Sequence, residues 1–595
     1  MSTGYDAVED QYIKPMKGRK TMFRMIRDVL NLKRDATVFT ISVVIYAIGG
    51  VLYPLALGLA INSVKAGQIR PLLLYAGLFF LFYLIQFFSN IWINLSSVKV
   101  AQGVIKGMRD GAFKKLQSVP LDFYSNVKLG YLISRIANDA ESISDFLTYQ
   151  LPSVISGVTT IIIAAVIMFD LNTKLALYSL VVMPVLAVYT LAIQPRVRKN
   201  YLATRRALAA ITGNLAETIA AIRTVKAFNA EAQTEGRFGN LNENNFKANM
   251  VATRLTSSYS SVIRFLEAVG IFLVIYEGSL SLLHGQISLG ILVAFIAYVQ
   301  QFFNPIVQLT QLYNMYQNSM VGASRIYGII DSTPEKMKGE IDVASFSKSI
   351  KVNNVSVRYD GNVALKNVTV EIKKGECVAI VGRTGAGKTT LTNVILKFKF
   401  PNEGDVLLDL KELNEIETNA YRKLIVPVLQ EPFLFNGTVF ENVEYSKRGI
   451  TKEEVQRLID VYGMSEIFRN LPNGIDSPVG ELGRNMSEGQ RQAVSILRAF
   501  VRNPEIIIMD EATAQIDSRS EKAIITAMRS YSKNGTLILI SHRFSLITLS
   551  DRIIVLEEGG VVQEGTLNVL AKEEGTFREL YKRSVSLYVS GTGGF

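Results

Sequence analysis

Gly382-Arg383-Thr384-Gly385-Ala386-Gly387-Lys388-Thr389 decides how the rest of this 595-residue chain is read. The stretch has the form G-x-x-x-x-G-K-T. An apolar run, Val378 to Val381, precedes it, and a helical run, Thr390 to Lys397, follows. Strand, glycine-rich loop and helix are the context a phosphate-binding loop needs. The glycines let backbone wrap closely round phosphate oxygens. The loop amides and the helix N-terminus present donors and the positive end of a dipole to the anion. Lys388 then reaches toward the β- and γ-phosphates, and the Thr389 hydroxyl is placed to ligate Mg²⁺. By itself the motif says only that a nucleotide is bound.

Outward from this loop, composition sets the class. Hydrophobic residues make up 49% of the chain, and the mean hydropathy is +0.23, which is apolar for a soluble nucleotide enzyme. The formal net charge is +12. Lys and Arg gather on cytoplasmic loops of membrane proteins, which accounts for the excess without a nucleic-acid partner. Cys377 is the only cysteine, so one chain holds no disulfide and no cysteine metal site. The stretch up to about Arg34 is polar and mixed in charge, without the apolar core of a signal peptide.

Apolar runs crowd the first half: Val38 to Ile61, Leu72 to Leu95, Val154 to Phe169, Leu175 to Ile193, Val262 to Leu283 and Ile287 to Val307. A span needs roughly 20 residues to cross the hydrocarbon layer. The runs predict an all-α domain of six transmembrane helices. The links after the second and fourth runs are long and basic, with Lys99, Lys106, Arg109, Lys114 and Lys115, then Arg196, Arg198, Lys199, Arg205, Arg206, Arg223 and Lys226. The positive-inside rule puts these links and both termini in the cytoplasm. Helical spacing over Val100 to Gln117 and Ala203 to Glu231 predicts helices that continue far beyond the bilayer. Thr21 to Lys33 reads as an interfacial amphipathic helix. Arg264, Glu267 and Glu277 are costly in lipid and are candidates for a cavity lining, with Arg264 and Glu267 spaced to pair on one face. Pro305 is placed to kink the sixth span.

The pattern changes to strands from Ile350 onward. Tyr359 ends the first, where its ring is placed to stack on a purine. Gln430 opens a proline-broken loop. Ile506 to Asp510 is a buried strand ending in two carboxylates. Asp510 suits a Mg²⁺ role and Glu511 suits polarising an attacking water. His542 lies just beyond the strand Leu537 to Ile540, within reach of a γ-phosphate.

These motifs, in this order, resemble the ABC exporter family, in its half-transporter form with one transmembrane domain fused to one α/β ATP-binding domain. Tyr359 matches the A-loop, Gly382 to Thr389 the Walker A motif, Gln430 the Q-loop, Val479 to Gly483 the x-loop, Ile506 to Asp510 the Walker B strand, Glu511 the catalytic glutamate and His542 the switch histidine. Asp122 to Asp139 resembles the first coupling region and Glu217 to Phe228 the helix before the second. The resemblance implies a multidomain membrane protein with an interfacial segment over 1–35, a transmembrane domain over 36–325, a linker over 326–348, the ATP-binding domain over 349–583 and a tail over 584–595. It implies ATP and Mg²⁺ as cofactors. The nucleotide contacts it implies are Tyr359, Gly382, Arg383, Thr384, Gly385, Ala386, Gly387, Lys388, Thr389 and Thr390 in one chain, and Ser487, Gly489, Gln490 and Asp517 facing the partner's nucleotide. Thr389, Gln430 and Asp510 are its implied Mg²⁺ ligands, and Glu511, His542 and Gln430 its implied catalytic set.

The implied function is ATP-driven export of a lipophilic or amphipathic solute by alternating access, from a cell membrane with the ATP-binding domain in the cytoplasm. The implied partners are a second half-transporter, membrane lipid and a small amphipathic substrate. Two departures from the family bear on the partner. The usual L-S-G-G-Q signature is here Met486-Ser487-Glu488-Gly489-Gln490, and the usual S-A-L-D is Ala514-Gln515-Ile516-Asp517. Glu488 adds bulk and negative charge where the family has glycine beside a polyanion. An altered signature with intact Walker motifs is similar to one half of an asymmetric heterodimer. The alternatives are a homodimer whose Glu488 turns away from the phosphate, and a regulatory or importing protein on the same fold. A soluble P-loop kinase or GTPase does not fit the apolar spans.

Overall fold

The computed structural model describes residues 13, 15, 16, 18–335, 339–359, 362–510, 516–541 and 543–582. The chain divides into two compact units. One holds Met1–Val119 and Asn126–Thr333, and the other holds Pro120–Ser125 and Pro334–Phe595.

The first unit is helical. It begins with α1 (Gly18–Asn31), α2 (Lys33–Lys65) and α3 (Ile69–Leu116). The short α4 (Leu121–Asn126) follows in sequence, but its residues up to Ser125 belong to the second unit. Then come α5 (Leu129–Leu171), α6 (Thr173–Ala220), α7 (Ile222–Ala227), α8 (Glu231–Leu283) and α9 (Leu289–Ile330). Among the described residues, α2, α3, α5, α6 and α8 are long and apolar enough to cross a membrane. The sixth expected span opens α9, whose apolar stretch Leu289–Pro305 is shorter. At 1.5 Å per residue the 48 residues of α3 run about 72 Å, more than twice the hydrocarbon thickness.

Sequence explains how α3 is divided. Its first half exposes Leu73, Leu74, Phe80, Phe87 and Phe88, as a lipid-facing surface would. Its buried residues begin only at Ser89 and recur at helical spacing: Ser89, Ile93, Ser96, Ser97, Val100, Ala101, Val104, Ile105, Met108 and Ala112. Serine and alanine are interspersed with Ile, Val and Met on this face, and the small side chains let neighbouring helices approach closely. Elsewhere the Asn62 amide donates to Ser288 Oγ at 2.8 Å and its carbonyl accepts from the Gly290 amide at 2.8 Å, joining the end of α2 to the start of α9. The helix α9 continues through Pro305. Near its end, Tyr327 donates to Asp28 Oδ2 of α1 at 2.6 Å, and Arg24 pairs with Asp331 at 2.7 Å. On α1 itself Phe23, Ile26 and Leu30 are exposed, the apolar face of an interfacial helix.

The charged residues within the spans are partly accounted for. Glu277 is buried, and its carboxylate pairs with Lys174 at the start of α6. No ion pair joins Arg264 and Glu267 among the described residues, and Arg264 is exposed.

The second unit is built on strands β1 (Ser349–Tyr359), β2 (Asn362–Lys373), β3 (Cys377–Gly382), β4 (Glu403–Leu408), β5 (Lys411–Glu412), β6 (Ile425–Val428), β7 (Ile506–Asp510), β8 (Thr536–Ile540), β9 (Arg552–Glu557) and β10 (Gly560–Gly565). A four-stranded sheet has the order β2-β1-β4-β5, and a six-stranded sheet the order β10-β9-β3-β8-β7-β6. In the larger sheet β9, β3, β8, β7 and β6 are parallel. Cys377 to Val381, Ile506 to Met509 and all of β8 are buried, the continuous apolar reading expected of strands covered on both faces.

Alternation along β3 feeds two cores. Cys377, Ala379 and Val381 pack with the helix Glu488–Val501, while Val378 and Ile380 pack with Leu391, Val394 and Ile395. Burial pushes the Cys377 thiol up to about 12, so it stays protonated and inert.

The segment read as a linker is tied down at several points. Residues 326–330 complete α9. Glu335 pairs with Arg422 at 2.6 Å. Val343 and Phe346 are buried in the second unit's core. Asp409 accepts from the amides of Ser347, Lys348 and Ser349 and from the Ser347 hydroxyl. Burial alone would raise the Asp409 carboxyl, but these hydrogen bonds outweigh it and hold it below its ordinary value.

Candidate nucleotide site

The parallel strands bring the motifs to one edge. Ile380 of β3 lies opposite Ile540 of β8, and Ile540 lies opposite Asp510 of β7. Val428 of β6 lies opposite Met509. The loops that leave these strands therefore emerge from the same carboxyl-terminal edge, where ligands bind in open α/β sheets. Gly382 ends β3, Asp510 ends β7 and Gln430 follows β6 by two residues. Two interstrand steps put the Asp510 backbone about 10 Å from that of Ile380. Glu511 and His542 lie outside the described residues, as do Ala514 and Gln515.

From Gly382 the chain turns through Arg383 to Gly387 into the helix α10 (Lys388–Ile395). Gly387 is its N-cap at φ +99°, a conformation that excludes an ordinary side chain. A Cβ there would also stand 2.6 Å from the Ala364 carbonyl oxygen. With no side chain at the cap, Gly387 offers the first-turn amides over Lys388, Thr389 and Thr390 no side-chain acceptor. Two other helices of the unit show the contrast. Ser487 caps the helix α11 (Glu488–Val501) and Asp517 caps α12 (Ser518–Ser532), each through a side-chain oxygen. An anion at α10 would supply what those side chains supply elsewhere, so the residues present fit a bound phosphate. Lys388 Nζ folds back on the loop, donating to the carbonyls of Gly382 at 2.9 Å and Arg383 at 3.1 Å. Ala386 is buried in the core beneath, while Arg383, Thr384, Gly385 and Thr389 are exposed. Arg383 pairs with Glu579 at 2.8 Å.

The signature residues assemble elsewhere in the unit. Ser487 and Gln490 form a reciprocal capping box at the start of α11. Together with Asp517 they line a cleft of about 820 Å³, and Gly382 to Thr390 are not among its lining residues. Gly489 packs directly on α12: a Cβ there would lie 2.5 Å from Ser520 Cβ and 2.6 Å from its Oγ. Hydrogen bonding from Ser520 holds the Asp517 carboxyl below its ordinary value.

Two partners of the site were missed in the sequence. The Glu488 carboxylate is bound by Arg491, whose guanidinium also donates to the carbonyls of Met486 at 3.1 Å and Gly483 at 3.4 Å. The i,i+3 spacing on a helix was a signal that could have found this pair. Lys399 stands with its ammonium 4.6 Å from the centre of the Tyr359 ring. It also pairs with Asp122 of α4, a residue of the same compact unit. No local pattern links positions 122, 359 and 399.

Comparison with known proteins agrees with this architecture. Residues 37–306 match the family model of the ABC transporter transmembrane region, and residues 365–514 match that of the ABC transporter. The chain is 31% identical to the ATP-dependent lipid A-core flippase of Syntrophus aciditrophicus, over 81% of each protein. It is 29% identical to the fatty acid ABC transporter ATP-binding/permease protein of Mycobacterium bovis, over 80% of this chain and 75% of that protein. Among solved structures, a bacterial Atm1-family ABC exporter with ATP bound superposes with a TM-score of 0.74 at 26% identity, covering 93% of this chain and 98% of that one.

The chain belongs to the ABC transporter family, as a half-transporter of the exporter type. It is a membrane-spanning ATPase coupled to transport, with its nucleotide-binding domain on the cytoplasmic side. Half-transporters of this kind dimerise.

Proposed function

We propose that this chain exports a lipophilic or amphipathic solute as one half of an asymmetric heterodimer. The observation that carries ATP use is the uncapped first turn of α10 on the sheet edge shared with Asp510 and Gln430. The solute class is supported by two relatives, one named as a lipid A-core flippase and one as a fatty acid transporter. Lys388 and the loop amides hold the phosphates, and Tyr359 stacks on the base. Thr389, Gln430 and Asp510 would hold Mg²⁺, which when bound offsets phosphate charge. Glu511 polarises water and His542 bonds the γ-phosphate. Ser487, Gly489, Gln490 and Asp517 face the nucleotide of the partner. Glu511→Gln should nearly abolish hydrolysis and spare ATP binding, which a filter assay with labelled ATP reads directly.

Glu488 in the signature supports the asymmetric pairing. One observation favours a homodimer instead: the Arg491 ion pair draws the Glu488 carboxylate to its own helix. The native mass of the complex, purified after expression from its own locus, separates the two. A second polypeptide with an intact signature supports the heterodimer. A mass near twice 66.0 kDa, with robust transport by this chain alone, overturns it.

A further inference from the structure

Lys399 occupies an unusual setting for a lysine. Its side chain is only 18% exposed. The ammonium lies over the Tyr359 ring at 4.6 Å from the centroid and is neutralised by the Asp122 carboxylate. A cation within about 6 Å of an aromatic face is drawn to it, most strongly where water is excluded. The Asp122 carboxylate offsets the cost of holding this partly buried ammonium. The Tyr359 ring is therefore backed by a fixed charge, and the fixed charge is held by the hexapeptide Pro120–Ser125, which joins the second unit. The ring remains 37% exposed, leaving surface for a planar ligand.

We propose that Lys399 is a positioning residue for nucleotide binding, holding the Tyr359 ring for the base and making base affinity depend on the seating of Asp122. The proposal rests on the reading of Tyr359 as the base-stacking residue. It links the loop after α3, which is covalently continuous with a membrane-crossing helix, to the affinity of the site for ATP. Lys399 contacts the Tyr359 ring and pairs with Asp122, and neither Lys399 nor Asp122 lies in the Gly382–Thr389 loop, so the effect falls on binding of the base rather than on the chemical step.

The test uses the intact complex as purified, with ATP as the varied substrate of steady-state hydrolysis. Lys399→Met should raise the KM for ATP about threefold to tenfold, with kcat changed much less. Lys399→Arg, which keeps a cation able to stack and pair, should restore the parental KM. Asp122→Asn should raise KM in the same direction and add little to Lys399→Met. In a Tyr359→Ala background, Lys399→Met should change KM no further. A parental KM for Lys399→Met alongside a raised KM for Tyr359→Ala overturns the proposal and leaves the Tyr359 reading standing. A parental KM for Tyr359→Ala overturns that reading and the proposal with it. Equal effects of Lys399→Met with and without the ring show a role elsewhere and overturn it too. A parental KM for Asp122→Asn overturns the dependence on the loop.

Discussion

Gly489→Ala is the perturbation whose outcome the packing of the signature helix sets most directly. The added Cβ would lie 2.5 Å from Ser520 Cβ, 2.6 Å from Ser520 Oγ and 3.1 Å from Ile516 Cγ2. Carbon atoms rest at about 3.5–4.0 Å, so α11 and α12 must part by about 1 Å at this point. Overpacking of this kind costs about 1–3 kcal/mol. The functional loss should be larger than the stability loss. Ser487 and Gln490 cap α11 within two residues of the clash, and displacement of a binding group by 1 Å costs about a hundredfold in rate. We expect steady-state hydrolysis by the purified complex to fall by about ten- to a hundredfold, with only a modest drop in thermal midpoint. Ser520→Gly removes both of the nearest atoms and keeps the amide that Asp517 caps. The Gly489→Ala/Ser520→Gly protein should therefore recover much of the rate, less a cost of about 1 kcal/mol or under for glycine in a helix. A double variant as inactive as Gly489→Ala would refute the packing argument and place the requirement for glycine at the nucleotide instead.

Three further outcomes follow from particular contacts. Arg491→Met leaves the Glu488 carboxylate unpaired at the head of α11, so hydrolysis should fall, and adding Glu488→Gly should recover most of it; an unrecovered double variant would place the effect in the lost bonds to Gly483 and Met486. Lys174→Met strands the buried Glu277 carboxylate, so the thermal midpoint in detergent should drop and Lys174→Met/Glu277→Gln should regain it; an unchanged midpoint would show that the pair contributes nothing. The Asp409 carboxyl is held below its ordinary value in the folded state, so its stabilisation is complete above the unfolded value near 4 and is lost as the pH falls through the lower folded value. The stability gap between the parent and Asp409→Asn should therefore be constant at neutral pH and close below about pH 4, and a gap that widens there would contradict the hydrogen-bond geometry.

Local rules made much of this protein legible. The spans were visible because hydrocarbon demands long apolar runs, and α3 shows the rule changing along one helix, from exposed Leu73 and Phe80 to the buried face that starts at Ser89. The phosphate loop was visible because its glycines are backbone requirements, as the φ of +99° at Gly387 shows. What escaped was contact between residues far apart in the chain. Lys399 and Asp122 are 277 positions apart, and nothing in either neighbourhood marks them as partners. The stretch before β1 reads as a linker in the sequence for a related reason. Val343 and Phe346 are isolated apolar residues without a period, and only the fold supplies the core that buries them.

Glu488 shows how far residue identity alone carries. Read in the sequence, it adds negative charge and bulk beside a phosphate, and both effects point the same way. The structure separates them. A guanidinium has five donors, so Arg491 can bond the Gly483 and Met486 carbonyls and the Glu488 carboxylate together. Its charge compensates the carboxylate locally, and the pair presents a dipole rather than a net charge to anything approaching α11. The ion pair draws the side chain toward Arg491 on its own helix but does not make it smaller. If charge were the main handicap, raising ionic strength would relieve it, because screening acts over about 8–10 Å at 0.1–0.15 M salt. With Arg491 in place, the salt dependence of hydrolysis should be close to that of Glu488→Gly. With Arg491→Met, the carboxylate is bare and added salt should partly restore the rate. The steric part survives both conditions, and it is this part that a partner chain with a glycine in its own signature would escape.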